Sequence, residues 1–98
     1  MPAPELIVLP AAIREAAQAR QWYAPRSALA EQAFIAELDH AVREITEAPA
    51  RWPFYLHGTR RFLMHRFPYM IVYRLKDGTV TVLAIAHSAR RPGYWRKR

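Results

Sequence analysis

The sequence predicts an α+β fold in which an N-terminal strand and a two-helix hairpin precede a three-stranded antiparallel meander, all contributing to one curved sheet. Three observations predict it. A short apolar run is closed by Pro10, two helix-period segments lie between that proline and Pro49, and from Arg60 onward the residues become β-branched and aromatic.

Glu5 to Leu9 is long enough for a strand and too short for a helix. After Pro10, an Ala-rich stretch over residues 11–22 carries Ile13, Ala16, Ala17 and Ala19, and Pro25 discourages continuation, so this is the first helix. Ser27 is the expected N-cap of a second, longer helix that ends at Pro49. Its apolar stripe is Phe34, Ile35, Leu38, Val42 and Ile45, and Asp39 precedes Arg43 in the favourable i,i+4 order.

Residues 49–59 contain two prolines, a glycine and three aromatics, which suits an ordered connection with its rings against the core. The strands that follow are read as Arg60 to Arg66, Tyr69 to Leu75 and Thr79 to His87. Phe67-Pro68 makes the first turn, and Asp77-Gly78 is the strong two-residue hairpin signal for the second. In the last strand Val80, Val82, Ala84 and Ala86 are expected on one side and Thr81, Leu83, Ile85 and His87 on the other. With both sides mostly apolar, this strand should be central.

Ninety-eight residues are expected to form one domain spanning 1–98. No apolar run approaches the roughly 20 residues that span a bilayer, so no membrane partner is expected. The opening Met1-Pro2-Ala3-Pro4-Glu5 lacks a leader pattern, which makes a cytoplasmic address the default expectation. The chain has no cysteine, and neither a Gly-rich phosphate loop nor metal-ligand spacing occurs; no cofactor and no metal are expected.

Charge is divided sharply. Residues 1–49 hold four Arg against seven acids, whereas residues 50–98 hold eleven basic residues against Asp77 alone. A field of that density attracts polyanions or acidic protein surfaces. The basic half is where a partner should bind.

Two clusters there could carry chemistry. Arg60, Arg61 and Arg66, interleaved with aromatics, suit phosphate neutralisation and base stacking, although a solvated sheet face would explain the same arginines. His87, followed by Arg90, Arg91 and Tyr94, offers the elements of metal-independent RNA cleavage. The imidazole would move protons, a guanidinium would hold the phosphate, and the phenol would position a group or donate a proton. A hydrogen-bonded strand-end histidine is the plainer reading of His87. Arg96 extends the basic tail, and Trp95 is expected to cover the core rather than a ligand.

Taken together, the order of elements and the motifs Pro49-Ala50-Arg51-Trp52-Pro53, Gly58-Thr59-Arg60-Arg61, Phe67 to Arg74 and Ala86 to Trp95 resemble the RelE/ParE toxin superfamily, including its plasmid-stabilisation members. The resemblance covers nearly the whole chain. It implies a RelE/ParE-like toxin of a type II toxin-antitoxin pair, inhibiting growth and masked by a cognate antitoxin. It leaves the target open between two kinds of toxin. RelE-like members are mRNA interferases that cut messenger RNA on the ribosome, whereas ParE-like members are DNA gyrase inhibitors that cut nothing themselves.

On the nuclease pattern, Arg60, Arg61 or Arg66 would fill the strand role and Arg90, Arg91 and Tyr94 the tail set. Met70 stands where the nuclease arginine is expected, which suits the gyrase inhibitors better. A non-toxic basic RNA-binding module is the remaining alternative. If one binder is to be served, Arg60, Arg61, Arg90 and Arg91 should be presented together.

Overall fold

The computed structural model describes residues 3–98; Met1 and Pro2, where the leader reading begins, lie outside the described residues. The elements are β1 (Glu5–Val8), α1 (Pro10–Tyr23), α2 (Ala28–Glu47), a 3-10 turn (Leu56–Gly58), β2 (Arg60–Leu63), β3 (Tyr69–Lys76) and β4 (Thr79–His87). They form a four-stranded sheet in the order β1-β4-β3-β2. β2, β3 and β4 make the expected antiparallel meander, and β1 lies parallel to β4, which is therefore an inner strand.

The helices start and stop where local chemistry dictates. Pro10 begins α1, where its missing N–H costs nothing. The Ser27 side chain accepts from the Ala30 N–H at 3.1 Å and so caps α2. The inner stripe of α2 is Phe34, Ala41 and Ile45, with Leu38 and Val42 partly buried against the same core; Ala41 takes a core place that Ile35 does not. On the outer face His40 Nε2 lies 3.1 Å from the Glu44 carboxylate. Phe34 sits at the centre of an edge-to-face cluster with Phe67 and Tyr69, and Tyr23 packs beside it.

β2 is shorter than the sequence suggested. It stops at Leu63 because the Glu37 carboxylate on α2 accepts the backbone N–H groups of His65 and Arg66, at 3.1 and 3.3 Å, drawing them out of the ladder. β3 runs on to Lys76. There Asp77 and Gly78 both adopt positive φ, 51° and 75°, as a two-residue turn matching the sheet twist requires.

Strict alternation along β4 fails. A register shift sets Tyr73 opposite Val82 but Val72 opposite Ala84, so Leu83 is the extra residue of a bulge. Before it Val80 and Val82 face the helices; after it Ile85 does, and Leu83, Ala84 and Ala86 join the opposite side. His87, opposite Tyr69, is thereby placed on the helical face.

The opposite face is covered by the tail. Trp95 is 1% exposed and packs with Val72, Leu83, Ala84 and Ala86, while Tyr55 stacks on it at 5.5 Å. In the 49–59 connection Trp52 packs edge-on against Phe62, but the Phe54 ring is 76% exposed rather than tucked in. Trp22 is more than half exposed, with the Arg26 guanidinium over its ring. No helix among the described residues is long and apolar enough to cross a membrane.

Candidate functional site

Two candidate groups of the tail, Arg90 and Tyr94, converge with Arg98 on a residue that sequence reasoning passed over. Glu15 lies on the buried face of α1 between Ala12 and Ala19 and is only 8% exposed. Its carboxylate accepts from the Tyr94 hydroxyl at 2.6 Å, from both terminal nitrogens of Arg98 at 2.8 and 3.1 Å, and from Arg90 at 3.4 Å. It also accepts the Ile85 N–H at 3.0 Å, and Arg98 donates to the Leu83 carbonyl at 3.1 Å.

Position explains these last two bonds. β1 follows β4 only as far as Val82, so Leu83 and Ile85 have no partner strand on that side. The Glu15–Arg98 pair supplies the missing acceptor and donor, as buried backbone polar groups demand.

This arrangement ties up two of the proposed tail groups. Burial, and then the hydrogen bond to Glu15, push the Tyr94 phenol well above its ordinary range, so it stays protonated with its proton directed at Glu15. The Glu15 contact raises Arg98 further above its usual value. The Arg90 guanidinium is paired with Glu15 and lies 3.7 Å from the centroid of the Tyr94 ring. An apolar helical stripe interrupted by one acid was the signal in the sequence for Glu15.

His87 stands nearby in a different role. Its Nδ1 accepts the Ala89 N–H at 2.9 Å, and its ring meets Tyr69 edge-on at 5.0 Å. With Arg90 and Trp22 it lines a recess of about 370 Å³ beside α1.

The basic side chains are not presented together. Arg60 and Arg61 are neighbours on β2 and so point to opposite faces of the sheet. Arg60 turns toward the helical side and donates to the carbonyls of Trp52 and Ala50, at 2.7 and 3.1 Å, with its guanidinium 3.9 Å from the Phe54 ring centre. Arg61 lies over Tyr55 on the tail side. Arg66 is bonded to Glu37 at 3.2 Å. Arg91 and Arg96 line a separate polar recess of about 540 Å³ with His57 and Lys97, two residues that were not singled out as functional. The single cationic face expected from the sequence is thus divided among several sites. Among the described residues, no cluster of His, Asp and Glu is arranged to hold a metal ion.

These features define a class: an α+β protein with a helical hairpin on one sheet face and a basic, aromatic tail on the other. The family model described as ParE toxin of the type II toxin-antitoxin system, parDE, matches residues 6–92, and the chain belongs to that family, within the RelE/ParE superfamily. Its fold is that of a chain from the chromosomal ParDE toxin-antitoxin system of P. aeruginosa. The two superpose with a TM-score of 0.76 at 15% identity, over 87% of this chain and 96% of the other. Comparison with curated proteins returned no match.

Proposed function

We propose that this type II toxin acts by binding its target rather than by cutting RNA, and that the target is DNA gyrase, with a cognate antitoxin as its neutralising partner. The observation that carries the reading is the Glu15 carboxylate. It holds the Tyr94 hydroxyl, Arg98 and Arg90, so two of the four groups proposed for proton transfer and phosphate clamping already serve to fasten the tail.

A general acid must be within reach of the leaving group and have a pKa near the working pH. Tyr94 is turned to a buried carboxylate and its pKa is raised, so it meets neither condition. Met70 at the position of the nuclease arginine agrees with this, as does membership of the ParE family. For the antitoxin, an apolar groove of about 630 Å³ lies open between α1 and α2. Ile13, Ala16, Leu38 and Val42 line it, with Arg20, Arg43 and Asp39 also at the groove, a surface suited to an amphipathic segment.

The test is expression of the toxin alone, with mapping of RNA ends beside gyrase-linked DNA breaks, for the natural chain and for His87→Gln. Growth arrest with gyrase-linked breaks, uncut transcripts and full potency of H87Q is expected. Ribosome-dependent cuts that vanish in H87Q would overturn the reading in favour of an mRNA interferase centred on His87.

A further inference from the structure

The recess between the 56–58 turn and the tail gathers three cations on one lining. Several cations elsewhere are matched: Arg20 by Glu31, Arg66 by Glu37, Arg90 and Arg98 by Glu15, and Arg60 by two backbone carbonyls. In this recess Arg91, Arg96 and Lys97 come together without an acidic residue in the lining. Among the described residues, none of their side chains makes an ion pair or a hydrogen bond within the protein. All three are exposed. Like charges held side by side repel, so the arrangement is stabilised when an anion enters.

A second observation, of backbone rather than charge, lies at the same place. His57 adopts φ 59° and ψ 42°, a left-handed conformation that costs a residue with a Cβ about 1 kcal/mol, and Gly58 follows it at φ 72°. The turn is held in this form by Thr59, which is fully buried and donates its hydroxyl to the Leu56 carbonyl at 2.6 Å. Across the recess Gly93 is also left-handed, at φ 83°, and a Cβ there would stand 3.2 Å from His57 Nε2. A left-handed turn that is costly at His57, together with a left-handed glycine at position 93, thus brings an imidazole against the tail, beside three unmatched cations. Such strain persists where the surroundings enforce it, and it concentrates at binding sites.

The number of charges selects the ligand. One carboxylate engages one or two cations, as Glu15 shows, whereas a nucleic-acid strand offers a succession of phosphates, in duplex DNA one per strand for every 3.4 Å or so of helix axis. We propose that this recess docks the phosphodiester backbone of a nucleic acid: Arg91, Arg96 and Lys97 neutralise successive phosphates, and the His57 ring gives a hydrogen bond from the turn. The contact is independent of base sequence. It goes beyond the gyrase reading and does not rest on it, because backbone docking is a property of the isolated toxin.

The experiment is fluorescence anisotropy of the purified full chain with a labelled DNA duplex and, separately, a labelled single-stranded RNA, across a range of salt, with no gyrase or ribosome present. Three variants are compared: R91Q/R96Q/K97Q in the recess, R14Q/R51Q/K76Q as an equal loss of charge elsewhere, and His57→Asn. Asn tolerates the left-handed backbone, so its thermal midpoint should match the natural chain while its binding weakens several-fold.

The recess variant should lose roughly tenfold or more in affinity. Its dependence of log affinity on log salt should be shallower by roughly 2 to 3, at about 0.9 per phosphate contact in duplex DNA. The control should lose little. The DNA and RNA arms identify which backbone is preferred. Equal losses in recess and control variants would overturn the proposal, since bulk charge would then explain binding. So would unchanged nucleic-acid binding accompanied by lost affinity for a glutamate-rich peptide, which would assign the recess to an acidic protein. Gyrase poisoning by the same variants is scored separately, so either proposal can fail alone.

Discussion

The Arg98 guanidinium reaches across the edge of the sheet to the Glu15 carboxylate on α1, with its two terminal nitrogens 2.8 and 3.1 Å from the acid oxygens. This contact joins the tail to the helical hairpin and completes the hydrogen bonding of β4 where β1 ends.

Glu15→Ala should therefore be among the more damaging single changes to stability. It leaves the Ile85 N–H without its acceptor and Arg98 without its counterion, in a site only 8% exposed on the Glu15 side. Removing one partner of a buried, hydrogen-bonded pair costs about 3 kcal/mol. Denaturant unfolding should show a midpoint lowered accordingly, and an unchanged midpoint would mean that the tail is fastened chiefly by Trp95.

Glu37 does for β2 what Glu15 does for β4. Its carboxylate accepts two backbone N–H groups and Arg66 Nε. Glu37→Ala should cost about 2 kcal/mol, at the level of hydrogen bonds to a charged acceptor. Amide exchange should accelerate at His65 and Arg66 first. Exchange that rises uniformly along the chain would argue against a local role.

Tyr73 is fully buried and donates to the Pro49 carbonyl at 2.6 Å, and burial pushes its phenol up to about 12. A tyrosine whose folded pKa exceeds its free value of about 10 contributes fully below that value, and the contribution is lost as pH climbs through the folded pKa. Stability should thus fall by on the order of 2 kcal/mol between pH 10 and 12, roughly, through this group. Tyr73→Phe should be less stable at neutral pH by about 1 kcal/mol, for the lost hydrogen bond. It should also show a flatter alkaline decline. Parallel pH curves for the two proteins would refute the assignment.

Gly78 and Gly93 separate conformational cost from crowding. Both are left-handed, but a Cβ at Gly78 meets nothing within 4 Å, whereas one at Gly93 presses on His57. Gly78→Ala should cost about 1 kcal/mol. Gly93→Ala should cost more, and the His57 ring resonances should shift only in the latter. Equal costs would show that the His57 ring yields freely.

The type and order of the elements were legible in the sequence because their signals are local. Pro10, Ser27 and Pro49 bracket the helices, Asp77-Gly78 sets the last hairpin, and the apolar character of residues 80–86 marks an inner strand. The resemblance to RelE/ParE toxins rested on motifs of the same local kind. Trp95 was likewise placed correctly against the core by its size alone.

The tertiary structure decided how the basic residues are distributed. The bulge at Leu83 carried His87 to the helical face, the pleat of β2 sent Arg60 and Arg61 to opposite sides, and Glu15 drew in Arg90, Tyr94 and Arg98 from more than seventy positions away. Arg91, Arg96 and Lys97 were left to gather beside His57. A sequence shows how many charges a chain carries and how they are spaced. Which of them are neutralised depends on contacts between distant segments, and those form only when the backbone closes on itself.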